Sequence, residues 1–248
     1  MIELKNISLT FNKGTPLKNQ LFKNFNLKIF PQDFVTVIGG NGSGKSTLLN
    51  LIAGNLSPDN GTILFDNLDI TQQPTYKRAS IVSRVFQDPL LGSYNDLTLL
   101  ENLSLAFFRG QKRGLKLALS TAQKVFFQEK LRDIGFGLEN RLSDKMGSLS
   151  GGQRQAISLM MATLQPSSIL LLDEHTAALD PKMADSILAL TQKIIEEKKL
   201  TVLMVTHSMS QTLNFGNRTL LIHHGKIIKD LKINERQRLT SEDLVALF

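Results

Sequence analysis

The sequence predicts an α/β fold with an inserted helical segment, and three observations support this prediction. A short strand pattern, FVTVI, leads through a glycine-rich turn into an apolar helical pattern near residue 45. Farther along, the apolar runs SILLLD and TVLMVTH flank a helix-like stretch, as in a strand–helix–strand unit whose parallel strands are buried on both faces. Residues 88–160, by contrast, have mostly helical spacing and few strand signals.

The first 70 residues predict an antiparallel β subdomain. NISLTF and FNLKIF alternate apolar and polar residues, which is the signal of half-buried strands. GTILFDNLDI follows a PDNG turn and contains its own DN turn, so it predicts a hairpin. TLLIHHGKII, near the other end of the chain, predicts a second hairpin that turns at His224 and Gly225.

The stretch DPKMADSILALTQKIIEEKK predicts the helix between the two buried strands. Asp180 suits the cap position and Pro181 the first helical position. Its apolar face is formed by Met183, Ile187, Leu190 and Ile194.

Composition excludes several classes of protein. The chain has 248 residues, no cysteine and 42% apolar residues, which excludes disulfides and thiolate metal sites and fits a globular protein with a packed core. No run approaches the roughly 18 apolar residues that span a bilayer, and the start lacks the pattern of a secretory signal. The net charge is +7, but the most basic stretch, RGQKRGLK at 109–116, has no interleaved aromatic residues, so we expect no nucleic-acid partner.

Residues 39–47, GGNGSGKST, match the phosphate-binding pattern G-x-x-x-x-G-K-[ST] between a strand and a helix. Glycines let backbone N–H groups converge on phosphate oxygens, and the helix N-terminus adds a favourable dipole. We expect the helix to end at Gly54. The predicted nucleotide contacts in this loop are Gly39, Asn41, Gly42, Ser43, Gly44, Lys45, Ser46 and Thr47.

ILLLDE places two carboxylates at the end of a buried strand. Asp173 can hold Mg²⁺ through water, and Glu174 can polarise an attacking water. LSGGQRQ at 149–155 is a second turn that precedes a helical pattern and suits a phosphate. Because one nucleotide does not need two cradles, we expect the second to serve the nucleotide of another subunit.

With these motifs the chain resembles the ATP-binding cassette (ABC) family of ATPases over about residues 1–230. LSGGQRQ resembles the family's signature motif, Gln87 in RVFQDP its Q-loop glutamine, and His207 in VTHS its switch histidine. AALD resembles its D-loop with Asp180, and Phe11 lies where the family places an aromatic residue on adenine. The resemblance implies a P-loop NTPase (RecA-like) core with an N-terminal antiparallel β subdomain and an inserted α-helical subdomain.

The resemblance also implies one ABC domain over 1–248. Within it, 1–87 and 161–230 form the β subdomain and P-loop core, 88–160 the helical subdomain, and 231–248 a short tail. We expect a small helix in the tail, capped by Ser241, and no appended regulatory domain.

The implied mechanism has two copies that sandwich two Mg-ATP head to tail. The implied catalytic residues are Glu174 as general base, His207 at the γ-phosphate, Gln87 and Lys45, and the implied metal residues are Ser46, Gln87 and Asp173. The implied contacts across the interface are Ser150, Gly151, Gly152, Gln153 and Asp180.

The implied partners are an integral-membrane permease, a second copy of the ATPase and an extracytoplasmic substrate-binding protein. This places the chain at the cytoplasmic face of the inner (plasma) membrane, held there by the permease. We expect an importer of a small solute. An export or lipoprotein-release ATPase stays open, while a soluble ABC protein of translation or DNA repair and a small-molecule kinase with a P-loop are disfavoured.

His175 follows the predicted base directly, where the family commonly has proline. DEHTAALDP resembles a group of bacterial uptake ATPases with histidine at this place, some of them associated with aromatic amino acids. We expect His175 to be a loop residue without a chemical step, so that His175→Pro changes turnover little.

Overall fold

A computed structural model describes residues 1–111 and 120–245 of the chain. The basic stretch at 109–116 and the end of the tail therefore lie in part outside the described residues. Over the described ranges, none of the helices combines the length and the apolar character that a membrane span requires.

The strands are β1 (Ile2–Phe11), β2 (Asn19–Ile29), β3 (Phe34–Ile38), β4 (Asn60–Phe65), β5 (Leu68–Asp69), β6 (Val82–Val85), β7 (Ile169–Asp173), β8 (Val202–Val205), β9 (Arg218–His223) and β10 (Lys226–Lys232). The α-helices are α1 (Lys45–Ala53), α2 (Thr75–Arg78), α3 (Leu99–Phe107), α4 (Thr121–Ile134), α5 (Gly151–Thr163), α6 (Pro181–Lys198), α7 (Met209–Asn214), α8 (Ile233–Arg236) and α9 (Ser241–Val245).

The strands form two sheets of different character. The first has the order β2-β1-β4-β5 and is antiparallel, as the alternating patterns predicted. The second has the order β10-β9-β3-β8-β7-β6, in which β9, β3, β8, β7 and β6 are mutually parallel and β10 pairs antiparallel with β9. Both predicted hairpins, β4–β5 and β9–β10, are present.

The parallel sheet is buried on both faces, which explains its continuous apolar runs. On β7, Ile169 and Leu171 pack with α1 and the antiparallel sheet, while Leu170 and Leu172 face α5 and α6. The predicted α6 is confirmed: the Asp180 carboxylate accepts a hydrogen bond from the Met183 N–H, and Pro181 begins the helix. The sheet is thereby fixed so that the carboxyl ends of its strands meet at one edge.

Helices α3, α4 and α5 share a separate apolar cluster that includes Leu99, Phe127 and Ile157. Helix α5 contributes to this cluster and also packs on the parallel sheet, so it joins the helical segment to the core. Thr98 begins α3 with a reciprocal capping box to Glu101.

One predicted cap is wrong. The Thr240 hydroxyl accepts the hydrogen bond from the Asp243 N–H, and Ser241 is already the first residue of α9. The Asp243 carboxylate accepts in return from the Thr240 N–H, so the cap lies one residue earlier than the sequence pattern suggested. The tail is also held by Arg236, whose guanidinium donates to backbone carbonyls at the end of α7.

Candidate active site

The glycine-rich turn between β3 and α1 leaves the helix N-terminus open. Gly42 and Gly44 have φ values of 73° and 111°, which residues with a side chain rarely adopt. Gly44 occupies the cap position of α1, and no side chain in the described part of the chain accepts a capping hydrogen bond from this helix. These donors are therefore available to an anion, and the helix dipole favours one.

Two side chains in the turn can donate to an anion. The Lys45 ammonium donates to the carbonyl oxygens of Gly39 and Gly40 at 2.8 and 3.0 Å. Burial lowers the pKa of Lys45 below its ordinary value, and the carboxylates of Glu174 and Asp173 partly offset this shift. The Ser43 hydroxyl is buried and has no hydrogen-bond partner among the described residues. Both groups fit a phosphate cradle.

Oxygen atoms suited to Mg²⁺ lie together at the end of β7. The Ser46 hydroxyl is 3.5 Å from Oδ1 of Asp173, with Lys45 adjacent in the chain. The described residues contain no cluster of three or more His, Cys, Asp or Glu side chains that could hold a metal alone. This sparse oxygen donor set fits Mg²⁺, which is usually bound by one or two carboxylates together with substrate phosphates.

Glu174 and His207 form a close pair beside the turn. Nε2 of His207 is 2.7 Å from Oε1 of Glu174. Glu174 has a φ of 46°, a left-handed conformation that costs a non-glycine residue of order 1 kcal/mol and marks a constrained backbone at the end of β7. The arrangement brings a carboxylate and an imidazole within reach of one reacting group.

Gln211 ties together the two loops that carry this pair. Its amide donates to the Thr176 hydroxyl at 3.1 Å, and its carbonyl oxygen accepts from the Thr206 hydroxyl at 2.7 Å. Thr206 directly precedes His207, and Thr176 lies two residues after Glu174. Gln211 was not predicted from the sequence, because a glutamine on a polar helical turn carries no signal of this role.

Most of the predicted site residues line one cavity of about 340 Å³, which we call the P-loop cavity. Phe11 and Leu21 both line it. The predicted residues that line it are Phe11, Asn41, Gly42, Ser43, Gly44, Lys45, Ser46, Thr47, Glu174 and His207. Gly39 lies beneath, where an added Cβ would be 2.2 Å from the Ile222 carbonyl oxygen.

Asp173 adjoins the P-loop cavity through Ser46, and the other predicted residues lie elsewhere. Gln87 and Gly151 line a second cavity of about 350 Å³ together with His175. Ser150 caps α5 by accepting from the Gln153 N–H, and the Gln153 side chain accepts from the Ser150 N–H. Gly152 packs against Met183 of α6, and the Asp180 side chain caps that helix. A single chain therefore does not bring the LSGGQ turn into the P-loop cavity.

His175 is buried and faces away from the P-loop cavity. Its Nε2 is 3.2 Å from the Thr191 hydroxyl, and that hydroxyl donates to the Ile187 carbonyl oxygen at 2.7 Å. Because the only hydroxyl proton is used there, Nε2 of His175 must be the donor. Burial lowers the pKa of His175 to about 4, so the ring is neutral at pH 7. His175 anchors its loop to α6, which agrees with the expectation of a loop residue.

Arg84 was also missed by the sequence analysis. It lies on β6, three residues before Gln87, and its guanidinium contacts the carboxylate of Asp173 at 2.5 Å. The available signal was a charged residue inside the otherwise buried strand IVSRVF. Strand assignment alone, however, gives no partner for it.

Comparisons with known proteins agree with this geometry. A model of the ABC transporter family matches residues 22–177. The chain is 43% identical over 248 residues to the tyrosine transport ATP-binding protein of Clostridioides difficile (strain R20291), covering all of this chain and 98% of that protein. It is 37% identical to the thiamine import ATP-binding protein ThiQ of Shigella sonnei (strain Ss046), covering 89% and 90% of the two chains. The structure resembles the dimeric MJ0796 ABC transporter cassette with a TM-score of 0.80 and 30% identity, covering 94% and 99%.

The chain belongs to the ABC transporter family and is an ATP-binding cassette ATPase. The predicted fold class is confirmed by this likeness as well as by the two sheets. Membership also rejects the alternative of a small-molecule kinase that carries only a P-loop.

Proposed function

We propose that this chain is the Mg²⁺-dependent ATPase subunit of an importer of a small solute, and that the solute is an aromatic amino acid of the tyrosine class. The observation that carries the ATPase half is the Glu174–His207 pair in the same cavity as the open N-terminus of α1. The identity to a relative named for tyrosine transport supports the solute.

In the proposed reaction Glu174 accepts a proton from the attacking water, and His207 donates to the γ-phosphate. Lys45 leaves the Gly39 and Gly40 carbonyls to contact the outer phosphates, and backbone N–H groups of the turn bind phosphate oxygens. Ser46 and Asp173 would hold Mg²⁺, which supplies charge neutralisation on the phosphates. Gln87 joins them when the helical segment moves toward the core.

A second copy completes the site in this proposal. Ser150, Gly151 and Gly152 stand at the N-terminus of α5, outside the P-loop cavity of their own chain. Two copies placed head to tail would set each α5 N-terminus, with Gln153 and Asp180 beside it, against the nucleotide of the other. The dimeric form of a related cassette supports this arrangement.

A groove of about 650 Å³ suits the permease. It runs between β6 and the helical segment, and its apolar lining includes the exposed aromatic residues Tyr76 and Tyr94. We place the chain at the cytoplasmic membrane face through this contact, with a substrate-binding protein on the other side. The division into 1–87 with 161–230, 88–160 and 231–248 belongs to the same proposal, because 88–160 is the part that would move with the permease.

Capture from membranes tests the proposal. The tagged Glu174→Gln chain, with Mg-ATP, is used to isolate partners from detergent-solubilised native membranes, and a parallel capture without nucleotide is the control. We expect a multi-span permease, and we expect thermal unfolding of its associated binding protein to shift with tyrosine but not with thiamine. A purely soluble complex or a nucleic acid among the partners would reject transport, while a shift with thiamine alone would reject only the solute.

A further inference from the structure

Arg84 is held by three groups from three parts of the chain. Its Nη2 donates to Oδ2 of Asp173 at 2.5 Å, and its Nη1 donates to Oδ1 of Asn50 at 2.6 Å. Its guanidinium lies 4.6 Å from the centre of the Phe86 ring. The side chain is only 10% exposed. The planar Arg84 guanidinium, whose N–H directions are fixed, is thus held between α1 and the end of β7.

Because of this contact, the two oxygens of the Asp173 carboxylate have different partners. Oδ2 accepts from Arg84, while Oδ1 lies 3.5 Å from the Ser46 hydroxyl. Rotation of the carboxylate about its last bond would break the pair with Arg84. The oxygen that faces Ser46 is therefore selected by a residue that does not itself reach Ser46.

We propose that Arg84 is a positioning residue that aims Oδ1 of Asp173 at the cation position beside Ser46. The inference rests on the proposed use of Mg²⁺. Asn50 contributes by fixing the second arm of the fork, so that the orientation of Asp173 is tied to α1, the helix that begins with Lys45 and Ser46.

Two effects of Arg84 oppose each other. Its positive charge weakens the attraction of Asp173 for a cation, whereas its hydrogen bond orients the carboxylate. Partners that orient a metal-binding carboxylate typically change metal affinity by roughly 10- to 100-fold when they are removed. The Asp173 side chain is only 13% exposed. Without Arg84, its Oδ2 would lose its hydrogen-bond partner and the carboxylate would rotate. We expect the loss of this orientation to outweigh the removal of the opposing positive charge.

The test compares nucleotide affinity with and without the metal. A fluorescent ATP analogue is titrated in the Glu174→Gln background, once with saturating Mg²⁺ and once with EDTA. The ratio of the two affinities measures how strongly the site couples metal to nucleotide. We expect Arg84→Met to lower this ratio by about 10-fold and to leave the affinity in EDTA unchanged. Arg84→Lys, which keeps the charge but lacks the fork, should recover only part of the loss.

Arg218→Met is the matched control. Arg218 is similarly buried and paired with Asp33 and Asp230, but it lies at the opposite end of the parallel sheet, where β9 begins. It should lose stability without any change in the affinity ratio. An unchanged or raised ratio in Arg84→Met would overturn the proposal, the raised ratio because it would show that Arg84 competes with the cation.

Two further outcomes can be told apart from a failure of the proposed role of Arg84. If the parent chain itself binds the analogue equally well in Mg²⁺ and in EDTA, the proposed use of Mg²⁺ fails before Arg84 is considered. If Arg84→Met does not fold, Arg84→Lys and Asn50→Ala decide. Each is expected to lower the ratio by a few-fold, and two unchanged ratios would reject the role of Arg84.

Discussion

The N-termini of α1 and α5 both suit a phosphate, yet they are prepared in different ways. Helix α1 begins after Gly44, has no side-chain cap and opens into the cavity that holds Glu174 and His207. Helix α5 begins after Ser150, whose reciprocal bonds with Gln153 already satisfy part of its terminus. The first has no side-chain cap in the described residues, whereas the second is already partly satisfied by its own cap.

This difference indicates that the α1 terminus belongs to the reacting half of the proposed site. An uncapped terminus leaves N–H groups that gain most from a phosphate, so we expect α1 to bind the nucleotide first. A capped terminus retains a hydroxyl and the helix dipole, and we expect these to recognise a nucleotide that a second copy already holds. Variants that change one terminus, or its surroundings, and leave the other test this difference.

Glu174→Gln should have the largest effect. It keeps the shape of the α1 cavity but removes the proton acceptor, so we expect ATP hydrolysis to fall by roughly 10²- to 10⁴-fold with ATP binding retained. Steady-state phosphate release and equilibrium binding of the nucleotide measure the two quantities. Normal turnover would remove Glu174 from the role of base and would leave α1 as a binding element only.

Lys45→Met should weaken binding itself. The variant removes the charge that reaches the phosphates, and a charged hydrogen bond is worth about 1.5–3 kcal/mol, or roughly 10- to 100-fold in affinity. Isothermal titration with ATP checks this. Since Lys45 donates to two carbonyl oxygens in the free chain, a parallel urea denaturation shows whether the turn has also loosened.

Ser150→Ala separates capping from recognition at α5. We expect it to lower the free energy of unfolding by about 1 kcal/mol and to lower ATPase turnover at high protein concentration, because both the cap and the proposed contact across the dimer are lost. The matched control is Ser120→Ala at α4, which has the same Ser–Gln capping box. It should cost the same stability and leave turnover intact. Equal turnover in the two variants would confine Ser150 to a structural role.

His175→Gln should have the smallest effect on activity. His175 lines the second cavity, together with Gly151, whereas the adjacent Glu174 lines the P-loop cavity. The unfolded state binds a proton near pH 6.5, whereas burial lowers the pKa of the folded His175 to about 4. Stability should therefore fall as the pH drops from 6.5 toward 4, by about 3 kcal/mol from this group alone.

Glutamine keeps an amide donor for Thr191 but does not titrate, so His175→Gln should flatten that part of the profile. Urea midpoints of both proteins between pH 4 and 7 check the difference, and other acidic groups cancel in the comparison. A large loss of turnover at pH 7 in the variant would contradict the structural role of His175.

Much of the molecule was predictable because its signals are local. The turn at 39–47, the alternation in β1 and β2, the Asp180 cap and the two hairpins each depend on a few neighbouring residues. The Ser241 cap was misplaced by one residue because both candidates are hydroxyl residues, and only the backbone decides which hydroxyl reaches the Asp243 N–H.

The sequence alone is enough to predict a phosphate-binding turn at Lys45 and Ser46 and a carboxylate pair at the end of a buried strand. Glycine conformation, strand periodicity and helix capping depend on residues that are close together in the sequence, so local patterns predict them. Only the tertiary structure decided that Arg84 meets Asp173, that His175 turns toward Thr191, and that Ser150 stays outside the P-loop cavity. The pairing of β6 with β7 and the packing of α6 on the sheet set these contacts. They join residues that are distant in the sequence, so no local pattern specifies them.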